Sequence, residues 1–217
     1  MRVDGRRRNS PPAYDLLRAR IVGIATELVR EQGFAALTLT AVGRVAHMRP
    51  ESLLRVVRDL DEVRHAVIAN AQAELVELME GAIGDSRGRE ALEGMFESQR
   101  LYAQAQPHLY EAALLRLPRS GTPDTGGRDA LAALECATLE SCGAPPAQVD
   151  QLAWCFRAAV HGAICLEASD RLSRQQNIDE NFDFLVRILE GAARWAGEAA
   201  APPPVFVAVE RRGCGEA

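Results

Sequence analysis

The sequence predicts an all-α chain of about nine helices, three in a small head and six in a larger body. Three features carry that expectation. Apolar residues recur at three- and four-residue spacing along most of the chain, in runs bounded by Gly and Pro. Aromatic residues are few, at 5%, and Ala is abundant, which favours closely packed helices, while 47% apolar content over 217 residues suffices for a sizeable core. The third is the stretch from Thr38 to Val63, where two short helices flank a break and a longer capped helix follows.

Residues 1–13 are polar, Arg-rich and interrupted by Pro, and read as a flexible arm with Arg6, Arg7 and Arg8 as its charge. The first helix is expected over 14–32. Leu17, Ile21, Ile24 or Ala25, and Leu28 form its buried face, and Gly33 ends it in a left-handed cap. Phe34 and Leu37 lead to a second helix capped by the Thr38 hydroxyl, with Leu39, Val42 and Ala46 on its apolar side. A break at His47-Met48 precedes a third helix that starts on Pro50 and carries Ser52, Leu53, Leu54, Arg55 and Val56. Asp59 caps the fourth helix, with Glu62 as the capping-box partner, over 60–82. Its stripe is Val63, Val67, Ala71, Leu75, Leu78 and Met79.

Residues 81–88 form a turn cluster, and helices follow over 90–104 and 107–117. A Pro- and Gly-rich loop, 118–127, precedes a helix over 128–141 that Gly143 to Pro146 stops. The last two helices, 147–169 and 179–197, each carry two apolar stripes. On the eighth these are Trp154, Ala158, His161 and Cys165 against Phe156, Ala159 or Val160, Ala163 and Leu166. On the ninth they are Phe182, Leu185, Leu189 and Ala192 against Phe184, Ile188, Gly191 and Trp195. A helix apolar on two sides is buried on two sides, and a second copy of the chain most simply supplies the second. Ala159, Ala163, Leu166, Leu185, Ile188 and Leu189 are the expected homodimer contacts, and Gly162 and Gly191 permit close approach. The domain boundaries are thus an arm at 1–13, a head at 14–58, a body at 59–198 and a tail at 199–217, where Val205 to Val209 could be extended.

The charge distribution separates the two parts. Net charge is −5, but residues 1–65 hold 12 Arg against 8 acidic residues, and the remainder hold 13 against 22. A basic head on an acidic body suits a head that meets nucleic acid. All 25 basic residues are Arg, whose planar fork suits phosphate oxygens. No apolar run is long enough to span a membrane and no signal peptide is evident, so a cytoplasmic protein with reduced thiols is expected from its five Cys.

Two short helices with a tight break and Arg on the second make a helix-turn-helix candidate. Upstream, Arg18, Ile21, Ala25, Leu28, Gly33 and Thr38 stand in the pattern R-x2-I-x3-A-x2-L-x4-G-x4-T. Over roughly 18–67 the chain resembles the DNA-binding domain of TetR-family transcriptional repressors. Trp154, His161-Gly162, Leu166-Glu167, Phe182 and Leu189-Glu190-Gly191 resemble the C-terminal ligand-binding domain of one branch of that family. The resemblance implies a dimeric, ligand-responsive regulator, most simply a repressor, with a double-stranded DNA operator and a small-molecule effector as partners and no cofactor. DNA contacts would fall on Arg49, Ser52, Leu54 and Arg55 of the third helix, with Thr38, Arg44 and Arg18 at phosphates. The chain departs from the family at several contacts. His47 stands for the usual Gly of the turn, Arg49 for the usual cap, Leu54 for a Tyr, Val56-Val57 for an aromatic pair, and Leu60 for a Lys. A diverged dimeric small-molecule-binding protein without specific DNA binding is therefore the alternative.

In the body, Met79, Phe96, Gln99, Tyr102, Tyr110, Trp154 and His161 combine apolar walls with a few polar tips, the usual lining of an effector pocket. His161 and Cys165 have the i, i+4 spacing of two metal ligands, but no third is evident, so no metal is expected. No phosphate loop, nucleophile elbow or paired-carboxylate motif is present, which points away from an enzyme.

Overall fold

A computed structural model describes residues 11–115, 130–169 and 177–198. The expected arm up to residue 10, the loop at 118–127 and the tail at 199–217 lie outside the described residues. The fold is all-α, with nine α-helices among the described residues.

The head comprises α1 (Pro11–Gln32), α2 (Leu39–Ala46) and α3 (Pro50–Leu53). α1 begins three residues earlier than expected, with Pro11 and Pro12 in its first turn, where a missing amide costs nothing. It ends at Gly33, whose φ of 82° is positive as expected. Its ψ of 166° is not left-handed helical, however, but lies in a region open essentially to Gly alone. A 3-10 turn over Phe34–Ala36, not anticipated, carries the chain to α2. The Thr38 Oγ1 accepts from the Ala41 amide at 3.1 Å, as its position at the start of α2 required.

Between α2 and α3 the chain turns at His47, with φ 54° and ψ 38°. This is the left-handed conformation that favours Gly, and His47 is the sole non-Gly residue among the described ones with positive φ. The turn is tight because Gly43 lets the Met48 carbonyl approach; a Cβ at Gly43 would stand 2.7 Å from that oxygen. His47→Gly is expected to relieve the Cβ strain of an exposed turn residue, worth about 1 kcal/mol, and so to raise the melting temperature by about 2–4 °C. A thermal melt checks this; a lower melting temperature would mean that the imidazole makes a compensating contact.

α4 (Leu60–Ile83) is the axis of the molecule. The Asp59 carboxylate accepts from the Glu62 amide at 2.7 Å, and the Glu62 carboxylate accepts from the Arg58 amide at 2.8 Å, one residue before the capping position expected for it. α4 packs against α1 on the head side and against α5 (Gly88–Ala105), α6 (Pro107–Leu114) and α7 (Ala130–Ser141) on the body side. α8 (Val149–Ala168) packs on α5 and α7, and α9 (Ile178–Glu198) packs on α5 and α8. One contiguous buried cluster runs from Ile21 in the head to Ala193 in α9. The α4 stripe is as expected except at Leu78, which is exposed; Ile68 and Val76 are buried in addition, because four helices wrap α4 and widen its buried arc.

Candidate functional site

The helix-turn-helix is built on a buried hinge of Leu37, Val42, Leu53, Val56 and Val57, which fixes its backbone from below. α3 is a helix of only four residues, but its hydrogen bonding continues. The Leu54 amide donates to Pro50 at 3.0 Å and the Val57 amide to Leu53 at 2.9 Å, so the register of Leu54 and Arg55 is set by the same buried groups. Tyr14 of α1 clamps this segment from the side, its hydroxyl donating to the Val56 carbonyl at 2.6 Å. With Leu53, Val56 and Val57 turned inward, Arg49, Leu54 and Arg55 face outward and Ser52 is half-buried. Arg44 is exposed on α2.

The charged groups of the head divide into two sets. Arg30, Arg58 and Arg64 are tied to carboxylates. So is Arg18, which the sequence places at a phosphate. Its Nε donates to Glu62 at 2.9 Å, joining α1 to the start of α4, because the α4 cap brings Glu62 within its reach. The Arg58 amide, and then Arg18, hold the Glu62 carboxyl below the ordinary carboxylate range. By contrast, Arg44, Arg49 and Arg55, and Arg20 on α1, make no ion pair with any described residue. The Thr38 hydroxyl is occupied by its capping bond.

The body residues expected to line a pocket are turned into the interior, with one exception. Met79, Phe96, Gln99, Tyr102 and Tyr110 are all buried, and His161 is half-buried beside them. Their polar tips satisfy one another. The Gln99 side-chain amide donates to the Tyr110 oxygen at 3.1 Å, and that oxygen lies 3.2 Å from His161 Nδ1. Burial pushes the Tyr110 phenol up to about 12. Tyr102 donates to Glu74 of α4 at 3.1 Å, and Glu74 accepts from Arg30 of α1 at 2.9 Å, so a polar chain crosses from body to head. Trp154 is the exception. It is 71% exposed, because α8 buries Val149, Ala153, Phe156, Val160 and Ile164 and so turns Trp154 outward. Two surface clefts lie elsewhere. One, of about 250 Å³, lies between Ile83–Arg87 and α7; the other, of about 140 Å³, lies between Ala163, Leu166 and Phe182. Cys165 Sγ lies 3.4 Å from His161 Nε2, and no cluster of three metal-ligating side chains occurs among the described residues.

The outward faces of α8 and α9 are apolar. Trp154, Leu166, Phe184, Ile188 and Trp195 are each half exposed or more, and Ala159, Ala163 and Leu185 are half-buried at their margin. Leu189, expected at this face, belongs instead to the protomer core, since it shares the inward stripe with Phe182, Val186 and Ala193. A Cβ at Gly162 or Gly191 would meet nothing within 4 Å in the protomer.

A helix-turn-helix head joined through one long helix to a helical body defines a class, that of TetR-like regulator folds. A family model described as the tetracycline repressor-like C-terminal domain matches residues 92–189. The chain is 24% identical over 177 residues to the uncharacterized HTH-type transcriptional regulator YobS of Bacillus subtilis (strain 168), covering 81% of this chain and 92% of that protein. It is 28% identical over 182 residues to the uncharacterized HTH-type transcriptional regulator Rv0681 of Mycobacterium tuberculosis, covering 82% and 83%. The transcriptional regulator SCO7222, a TetR from Streptomyces coelicolor, superposes with a TM-score of 0.64 at 17% identity, over 82% of this chain and 98% of that one. The fold of this chain is that of the TetR-family regulators. No helix among the described residues is long and apolar enough to cross a membrane.

Proposed function

We propose that the protein is a homodimeric, ligand-responsive DNA-binding regulator of transcription, acting as a repressor. The observation that carries this reading is the set of exposed cations on the helix-turn-helix, Arg44, Arg49 and Arg55, which have no carboxylate partner among the described residues, while Arg18, Arg30 and Arg58 are paired. Unpaired exposed cations on a rigid surface are what phosphates and base edges require. The printed descriptions of both curated relatives as HTH-type transcriptional regulators support it. In this reading residues 14–58 form the DNA-binding head and 59–198 the ligand-binding and dimerisation body. Arg49, Ser52, Leu54 and Arg55 face bases, and Thr38, Arg44 and Arg18 hold the backbone. The apolar outward face of α8 and α9 meets its copy.

The effector site is the buried cluster of Gln99, Tyr110 and His161, walled by Met79 and Phe96. A small molecule that replaces the mutual hydrogen bonds of that cluster shifts α6 and α5 against α4. Tyr102 and Glu74 pass the shift to Arg30 in α1.

The test is binding to the DNA upstream of its own gene at moderate salt, with competitor. A discrete, competitor-resistant complex is expected. Arg49→Ala should flatten preference among operator variants, since a paired Arg–guanine contact is worth about 1–3 kcal/mol of discrimination. Arg44→Ala should weaken every variant alike and lower the salt slope by about one unit. If the unmodified protein binds all DNA equally and only at low salt, the reading gives way to a dimeric small-molecule-binding protein of the same fold.

A further inference from the structure

Among the cations of the helix-turn-helix stands an exposed leucine. Leu54 closes α3 and is 48% exposed, while its neighbour Leu53 is fully buried. A single exposed Leu on a protein surface needs no explanation. This one is set apart by its company and its rigidity. Arg49 and Arg55 flank it in the same segment, Arg44 is exposed on α2, and none has a carboxylate partner among the described residues. Its backbone is fixed twice over: its own amide donates to Pro50 at 3.0 Å, and Leu53, Val56 and Val57 anchor the turn from below. A second apolar side chain, Val45, is 50% exposed on α2. The surface is therefore not uniformly polar, as one made only for phosphates would be, but carries exposed apolar side chains on the same two helices as exposed cations.

In a major groove the apolar group available to such a residue is the C5-methyl of thymine. Arg and Ser at this surface can bond to guanine and phosphate, but Leu54 has no donor or acceptor and can recognise nothing else on a base edge. Resting on the DNA-binding reading above, we propose that Leu54 reads a thymine methyl, so that each operator half-site carries an obligatory thymine beside the guanine that Arg49 contacts. Leu54 is a specificity-determining residue beside Arg49, and Arg44 supplies affinity.

The experiment has two stages. Selection from a random duplex pool with the full-length protein yields the bound sequence. Each thymine of that sequence is then replaced singly by deoxyuridine, which removes the methyl and keeps every hydrogen-bonding group. For the unmodified protein, one position per half-site should weaken binding about fourfold on loss of its methyl, the worth of one desolvated carbon. Leu54→Ala, at an exposed position that leaves the buried anchors intact, should bind the thymine and deoxyuridine duplexes equally. Restoring an apolar side chain with Leu54→Met should restore the difference. A protein that selects a sequence yet is indifferent to every thymine methyl overturns the assignment while leaving the DNA reading intact. So does a methyl effect that persists in Leu54→Ala. Failure to select any sequence would remove the DNA reading itself, and this inference with it.

Discussion

Ile188→Arg is expected to leave the protein monomeric in sedimentation equilibrium, with its helical content and melting cooperativity retained. Ile188 is 51% exposed in the protomer, so the substitution breaks no internal packing. Phe184 and Trp195 continue its stripe one turn before and two turns after, and Trp154 and Leu166 stand on the outward side of α8. Large apolar groups are worth about 1.5–3 kcal/mol each when removed from water. An unpaired guanidinium forced into such an interface costs several kcal/mol more, which together raises the dimer dissociation constant by about a thousandfold or more. Leu189→Arg is the contrasting variant. Leu189 is buried in the protomer, and a charge there should unfold the chain rather than split a dimer. Arg at Ala159 or Leu185, both half-buried, should do some of each. If Ile188→Arg sediments as the unmodified protein does, the α8–α9 face is not the dimer contact. Operator affinity should fall with the dimer, because two heads held together gain from effective concentration and separate heads do not.

The elements were legible in the sequence because each end carries its own chemistry. Thr38, Asp59, Pro50 and Gly33 mark helix ends that the structure places within a residue or two of expectation. What periodicity does not decide is which of two apolar stripes turns inward. α8 shows this: Trp154 and Phe156 are both large and apolar, and only the docking of α5 and α7 selects Phe156 for the core. The same ambiguity moved Leu189 inward and Leu78 outward. Paired charges were hidden for a different reason. Arg18 and Glu62 are 44 residues apart, so no local pattern could reveal that the cap of α4 delivers a carboxylate to α1. Of the residues expected at a pocket, Met79, Phe96, Gln99, Tyr102 and Tyr110 are buried and Trp154 is not, since burial follows from which helix faces dock. Their mutual hydrogen bonds depend on rotamers that a sequence does not display.

The clearest such hidden group is Arg100, and its removal is expected to cost the chain much of its stability. Its side chain is only 8% exposed in α5 and joins that helix to two others. The guanidinium makes two bonds to Glu167 near the end of α8, at 2.8 and 2.9 Å, and one to Asp179 at the start of α9, at 2.7 Å. It also lies 5.0 Å from the centre of the Phe182 ring, and Gln104 supports the same Glu167 carboxylate at 2.8 Å. These bonds, to Glu167 first, hold the guanidinium above its ordinary range, so it stays charged at every working pH. Arg100→Met leaves the half-buried Glu167 carboxylate with Gln104 alone. Breaking one side of a buried pair costs about 3–5 kcal/mol, and partial exposure of the partners puts the expected loss near 3 kcal/mol, or about 6–12 °C in melting temperature. Replacing both, as Arg100→Met with Glu167→Met, removes the stranded charge and should recover most of the loss. The proposed dimer would add concentration-dependent stability, so urea titration is best made in the Ile188→Arg background. In the proposed dimer, the single Arg100→Met variant should also weaken association, because the same guanidinium ties the end of α8 to the start of α9. A loss below about 1 kcal/mol in the Ile188→Arg background, or no recovery in the double variant, would show that apolar packing alone holds the two helices and that the ion cluster is incidental.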